Sequence, residues 1–169
     1  KGHSVIGVDL DQETVDAVNQ RLSPVNETGL QRLLNSVTSL HATTSTEKAI
    51  RTSAITFIVV PTPSDPSGGF RLDHVNQVVN QIGVALRSKV AWHLVVLSST
   101  VMPGSCRTLI EVLEQVSGRQ CDKDFGFCYN PLFVALGSVI HDIQYPDLLL
   151  IGESDVMSGD VLAYFYLSL

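Results

Sequence analysis

Short apolar runs alternate along this chain with segments whose apolar residues recur at helical spacing. The runs at 4–9, 40–43, 54–60, 93–98, 125–130 and 148–152 read as strands. After the first of them, Val15, Val18 and Leu22 fall at helical spacing, and Leu30, Leu33, Leu34 and Val37 follow the pattern i, i+3, i+4, i+7. A helix is predicted from Asp73, with Val75, Val78, Val79, Ile82 and Leu86 on one stripe and Asp73 as its N-cap. Another follows Pro103-Gly104, carrying Leu109, Leu113 and Val116, and stops near Ser117-Gly118. The segment 153–169 reads as a helical C-terminal tail. Strand–helix–strand repetition of this kind predicts an α/β fold with a doubly wound, mainly parallel sheet and right-handed crossovers. The whole of 1–169 is expected to form a single domain.

Composition supports that class and narrows the partners. Hydrophobic residues make up 44% of the chain and charged ones only 17%, which suits strands buried on both faces. A net charge of −6 speaks against nucleic acid or an anionic membrane surface, since both require a basic face. No apolar stretch approaches the roughly 20 residues that span a bilayer. The opening Lys1-Gly2-His3 does not have the form of a signal peptide. Cys106, Cys121 and Cys128 show neither metal-ligand spacing nor CxxC. Their odd, scattered count predicts a reducing, cytoplasmic setting and small buried roles. His3, His41, His74, His93 and His141 do not cluster, so no metal site is expected.

In a parallel sheet, ligands bind beyond the carboxyl ends of the strands. Several apolar runs close there on chemistry-bearing residues. The first ends at Asp9, which is placed either to accept hydrogen bonds from a nucleotide ribose or to cap the helix starting at Gln12. The third ends at Pro61-Thr62-Pro63, where two prolines forbid further sheet. Thr62 then offers a hydroxyl and an N–H to a ligand, or simply sits in a turn. Ser98-Ser99-Thr100-Val101-Met102-Pro103-Gly104 carries three hydroxyls into a helix start, whose free N–H groups favour an anion or a polarised oxygen. Tyr129-Asn130-Pro131 sets a turn with the Asn130 amide directed at the same edge, and leads on to Gly137-Ser138 and Asp142.

In order and spacing these residues resemble the N-terminal domain of the UDP-glucose/GDP-mannose dehydrogenase family. The resemblance covers nearly the whole chain. It rests on Val5 and Val8-Asp9, Asn19, Ser23-Pro24, Gly29-Leu30, Val60-Pro61-Thr62-Pro63, Ser99-Thr100-Val101, Pro103-Gly104, Tyr129-Asn130-Pro131, Asp142 and Ile151-Gly152-Glu153. It implies a Rossmann-like, dinucleotide-binding domain and oxidation of a nucleotide sugar at C6, from hydroxyl to carboxylate, with NAD. It assigns cofactor binding to Asp9, Pro61, Thr62, Ser99 and Thr100, a catalytic position to Thr100 and a substrate-side position to Asn130.

Departures from the family pattern shape the remaining expectations. The usual first strand and its Gly-rich turn, Gly-x-Gly-x-x-Gly, are not found in the sequence. The family's Asn-Pro-Glu-Phe-Leu-Arg-Glu-Gly reads here Asn130-Pro131-Leu132-Phe133-Val134-Ala135-Leu136-Gly137, so both acids are leucines. The family's catalytic Cys, with its Lys and Asn partners and the sugar-binding domain, would lie beyond Leu169. The expectation is a truncated or degenerate copy, inactive alone, with weak or absent NAD binding. The alternatives are a fragment of an active dehydrogenase and a non-catalytic interaction module. Because the missing strand is central in the order 3-2-1-4-5-6, open strand edges predict a homodimer.

Overall fold

The computed structural model describes residues 2–66 and 68–169. Lys1 and Ser67, the latter within the breaker-rich loop 61–69, lie outside the described residues. The chain folds as an α/β protein in two compact units. One holds the residues up to Ala49 together with Phe133–Leu149; the other holds Ile50–Leu132 and Leu150–Leu169.

In the first unit β1 (Val5–Val8) runs parallel to β2 (Leu40–Thr43), in register from Val5 opposite Leu40 to Val8 opposite Thr43. The crossover contains α1 (Gln12–Asn19) and α2 (Leu30–Ser36). Asp11 starts α1 by accepting from the N–H groups of Glu13 and Thr14, so the capping alternative considered for Asp9 belongs to Asp11. At the far end of α1, the Asn19 side chain pairs with both backbone groups of Ala42, Nδ2 donating to O at 3.0 Å and Oδ1 accepting from N at 2.8 Å. Arg21 adds a bond to the Leu40 carbonyl at 2.9 Å. These clamps supplement the burial of Val15, Leu34, Ala42 and Ala49. Leu22 falls beyond the end of α1 and is 52% exposed, off the helical stripe expected for it.

After α3 (Thr46–Thr52), the second unit builds a four-stranded sheet from β3 (Ile55–Ile58), β4 (His93–Leu97), β5 (Phe125–Tyr129) and β6 (Gly152–Glu153), in that order. The first three are parallel and β6 is antiparallel. Between β3 and β4 lies α4 (Asp73–Leu86), and between β4 and β5 lies α5 (Ser105–Ser117). Val75, Val79 and Ile82 of α4 and Leu109 and Leu113 of α5 form one cluster with Val95, Leu97, Phe125 and Phe127. After α6 (Val139–Gln144), α7 (Val156–Leu167) packs Leu162 in a second cluster with Leu94, Val96 and Cys128. With side chains of β4 shared between two clusters, every residue of the strand is buried, which is why it reads as a continuous apolar run and not as an alternation.

Some sequence expectations need correction. The N-cap of α4 is Leu72, not Asp73; Asp73 opens the helix and its carboxylate pairs with Arg71 at 2.8 Å. The strand expected at 148–152 shrinks to Gly152–Glu153, because Leu148, Leu149 and Leu150 join no strand ladder and are exposed. The short helices α3 and α6 have no counterpart in the periodicity reading.

Candidate functional site at the carboxyl ends of the strands

Because β3, β4 and β5 are parallel, their carboxyl ends reach one edge of the second unit. The N–H groups of Ser98 and Ser99 both donate to the Ile58 carbonyl, at 3.0 and 3.2 Å, and the Asn130 N–H donates to the Leu97 carbonyl at 2.8 Å. This ladder brings Thr62, Ser99, Thr100 and Asn130, all singled out from the sequence, to the same edge.

Their roles diverge on inspection. Ser99 is buried. Its Oγ accepts from the Val60 N–H at 2.9 Å and donates to the Val60 carbonyl at 2.8 Å. It therefore fixes the exit of β3 just before Pro61. Thr100, one residue on, is exposed. Ser98 Oγ is buried and has no hydrogen-bond partner among the described residues. None of the three hydroxyls caps α5: the N-cap is Gly104, at φ 90°, a left-handed conformation that glycine adopts without a steric penalty. The start of α5 is thus left without a side-chain cap, in the arrangement that favours anions.

Thr62 is half-buried in a loop that closes on itself. Ser64 bridges Phe70, and the Arg71 N–H donates to the Pro63 carbonyl at 2.9 Å. Pro61-Thr62-Pro63 is therefore the first limb of a small hairpin. Asn130 is buried, with Nδ2 donating to the Leu150 carbonyl at 2.8 Å and Oδ1 accepting from the Tyr166 hydroxyl. Burial pushes the Tyr166 phenol above its usual pKa. The Asn130 amide thus ties the end of β5 to α7 and to the approach to β6.

In the first unit, Asp9 follows β1 at its carboxyl end and is exposed. One carboxylate oxygen accepts from the Asp11 N–H at 2.9 Å, which orients the group. Asp11 is fully occupied by the helix start. Hydrogen bonds from the Thr14 hydroxyl and then from the Glu13 and Thr14 N–H groups hold its carboxyl below the usual range.

The loop after Asn130 carries contacts that sequence reasoning missed. Asp142 accepts from the Ala135 N–H and the Ser138 hydroxyl, at 2.9 and 2.8 Å, and these bonds lower its pKa. Glu27 accepts from the Gly137 N–H at 3.0 Å. Neither Glu27 nor Tyr166 stands in a motif or on a periodic stripe that would have marked it. Leu132 and Leu136 are exposed and bring methyl groups, not carboxylates, to this loop.

The thiols are poor nucleophiles. Burial pushes Cys121 and Cys128 up to about 12 and raises Cys106 as well. No group of three His, Cys, Asp or Glu residues that could hold a metal occurs among the described residues. No helix among them is long and apolar enough to cross a membrane.

Comparison with known proteins identifies this arrangement. A family model described as "UDP-glucose/GDP-mannose dehydrogenase family, NAD binding domain" matches residues 1–169. A GDP-mannose 6-dehydrogenase of Pseudomonas savastanoi pv. phaseolicola is 39% identical over 98% of the chain, and a UDP-glucose 6-dehydrogenase of Haloferax volcanii is 32% identical over 98%. The chain covers 39% of the length of each. The crystal structure of a ternary complex of GDP-mannose dehydrogenase from Pseudomonas aeruginosa superposes with a TM-score of 0.95, at 39% identity, over 99% of this chain and 39% of that one. A UDP-glucose dehydrogenase from Pyrobaculum islandicum gives 0.91 at 31% identity, over 98% of this chain and 38% of that one.

Proposed function

The chain belongs to the UDP-glucose/GDP-mannose dehydrogenase family, as its NAD binding domain, and from that premise we propose that it is the cofactor-binding part of a nucleotide-sugar 6-dehydrogenase. The observation that carries the reading is the strand-end edge. Ser99 secures the exit of β3, so that Thr62 and Thr100 stand at neighbouring strand ends.

In this reading Asp9 accepts hydrogen bonds from the adenosine ribose hydroxyls, and its charge disfavours the 2′-phosphate of NADP. Pro61, Thr62 and Thr100 line the cofactor, Ser99 supports them from below, and Asn130 shapes the substrate side. NAD, when bound, supplies the hydride acceptor for oxidation of a sugar C6 hydroxyl. Thr100, the exposed hydroxyl at the end of β4, lies on the reacting side. A general acid or base contributes about 10²–10⁴-fold, and Leu132 and Leu136 offer neither. Covalent catalysis also requires a nucleophile, and the three raised thiols do not supply one.

On these grounds the chain by itself is proposed not to oxidise sugar nucleotides, and weak NAD binding is proposed for it. We assign it to the cytoplasm, in keeping with three free cysteines, and expect a homodimer formed through open strand edges. The chain's 39% share of its relatives' length favours a second reading, that it is a piece of a longer, active dehydrogenase.

Calorimetry with NAD⁺ and an assay of NADH absorbance with GDP-mannose or UDP-glucose test the proposal together. Weak heats and no NADH are expected. Micromolar NAD⁺ affinity, or sugar-dependent NADH formation abolished by Thr100→Ala, would overturn it.

A further inference from the structure

Glu27 and Gly137 are 110 residues apart in sequence and meet within the first unit. The meeting is prepared from both sides. The stretch before α2 is held by Gln31, whose Oε1 accepts from the Ser23 N–H at 3.0 Å and whose Nε2 donates to the Arg21 carbonyl at 2.7 Å. The Ser23 hydroxyl donates to the Val25 carbonyl at 2.5 Å, and the Leu30 N–H donates to the Glu27 carbonyl at 3.2 Å. On the other side, Asp142 holds the turn from Ala135 to Ser138 by its two bonds. Gly137, at φ 92°, turns its N–H out of that closed turn to Glu27 Oε2, in a conformation that side-chain-bearing residues rarely adopt.

Only one oxygen of this carboxylate is used. Glu27 Oε1 is buried and has no hydrogen-bond partner among the described residues. A buried carboxylate oxygen without a donor is costly, because its hydration is lost and nothing replaces it. Such an atom calls for a donor. A phosphate oxygen cannot serve, since it carries no proton and bears the same charge. Metal ligation is also poorly suited, because no group of three potential ligands occurs among the described residues. What suits it is an uncharged hydroxyl. The loop that Glu27 grips is the one following Asn130-Pro131, where Leu136, 99% exposed, stands in place of the family's acid.

We propose that Glu27 is a positioning and recognition residue: Oε2 fixes the Ala135–Ser138 turn through Gly137, and Oε1 accepts a hydrogen bond from a hydroxyl of the nucleotide sugar. This rests on the nucleotide-sugar reading given above. The hydroxyl belongs either to the sugar or to the ribose, and the two are separated by the choice of ligand.

The test uses the ¹⁵N-labelled chain titrated with GDP-mannose, GDP and NAD⁺, following the amide of Gly137, for the wild type, Glu27→Gln and Glu27→Ala. Glutamine keeps the size of the side chain but has one acceptor oxygen, so it cannot fill both roles. The expected result is a Gly137 shift on adding GDP-mannose and about tenfold weaker binding in Glu27→Gln, with NAD⁺ affinity and Tm unchanged. Equal weakening with GDP assigns the hydroxyl to the ribose; weakening confined to GDP-mannose assigns it to the sugar. GDP-mannose binding that is unchanged in both variants would overturn the role of Glu27 while leaving the family reading intact. Wild-type chain that shows no response to GDP-mannose at any concentration would overturn this inference, while the reading of the chain as a cofactor-binding part would stand or fall on the NAD⁺ titration.

Discussion

Both sheets contain parallel strands joined through helices, yet different forces hold them. In β1, Val5 and Val8 are 50% and 42% exposed, whereas all of β4 is buried. The two-stranded sheet is pinned by polar side chains reaching backbone groups, Asn19 to Ala42 and Arg21 to Leu40. The four-stranded sheet is held by two apolar clusters. A hydrogen bond nets about 0.5–1.5 kcal/mol, while a buried aliphatic side chain contributes about 1.5–3 kcal/mol. A pair of strands alone is marginal in water. The second unit therefore supplies most of the stability, and the first supplies geometry at the end of β1.

The largest effect should come from cutting into the second unit. Leu97→Ala removes a fully buried side chain from the larger cluster and is expected to cost about 2–5 kcal/mol, read as a fall in the urea midpoint. Val5→Ala on β1 should stay within about 0.5 kcal/mol of wild type. Equal losses at the two sites would erase the contrast between the sheets.

Acid should expose the same asymmetry. Burial, aided by the charge of Lys89, holds the His93 imidazole down to about 4, against an ordinary 6.5. The folded chain keeps this histidine neutral at a pH where the unfolded chain has already protonated it. Its contribution is present above pH 6.5 and lost as pH falls through 4, amounting to about 3 kcal/mol. Urea unfolding between pH 7 and pH 4 should show that slope, and His93→Gln should flatten it. A slope of the same size in the variant would assign the effect to the carboxylates.

A smaller, local effect is expected from Asn19→Ala. Losing both bonds to Ala42 should cost about 1–2 kcal/mol. Hydrogen exchange should quicken at Ala42 while the amides of β4 stay protected. Slower unfolding units elsewhere opening together with Ala42 would mean that the two sheets are not independently held. Thr100→Val should be the mildest, within about 0.5 kcal/mol by thermal unfolding, because that residue is exposed.

This contrast also explains how much could be read from the sequence. The α4 stripe was legible because burial on one face leaves a period, and the β4 run because burial on both faces leaves an unbroken apolar stretch. The helices α3 and α6 were not, because α6 buries no residue and α3 buries only the adjacent Ala49 and Ile50, which make no helical stripe. Leu148–Leu150 carried the composition of a strand without a neighbour to pair with. At the site, residue types were legible but roles were not. Ser99 and Thr100 look alike in sequence, and only the β3–β4 register turns one hydroxyl inward to Val60 and leaves the other exposed. The Asn130 amide needed Tyr166, 36 residues away, to reveal that it ties elements together.

The most direct test of the central claim, that NAD meets this chain at the carboxyl ends of its strands, is a residue-resolved NAD⁺ titration followed by amide chemical shifts. The account predicts shifts at Asp9, Thr62, Thr100 and Gly104 that approach saturation only at millimolar concentration, with the Asp9 shift lost in Asp9→Ala. Saturation at micromolar NAD⁺, or shifts gathered at the opposite strand ends around Trp92 and His93, would contradict it.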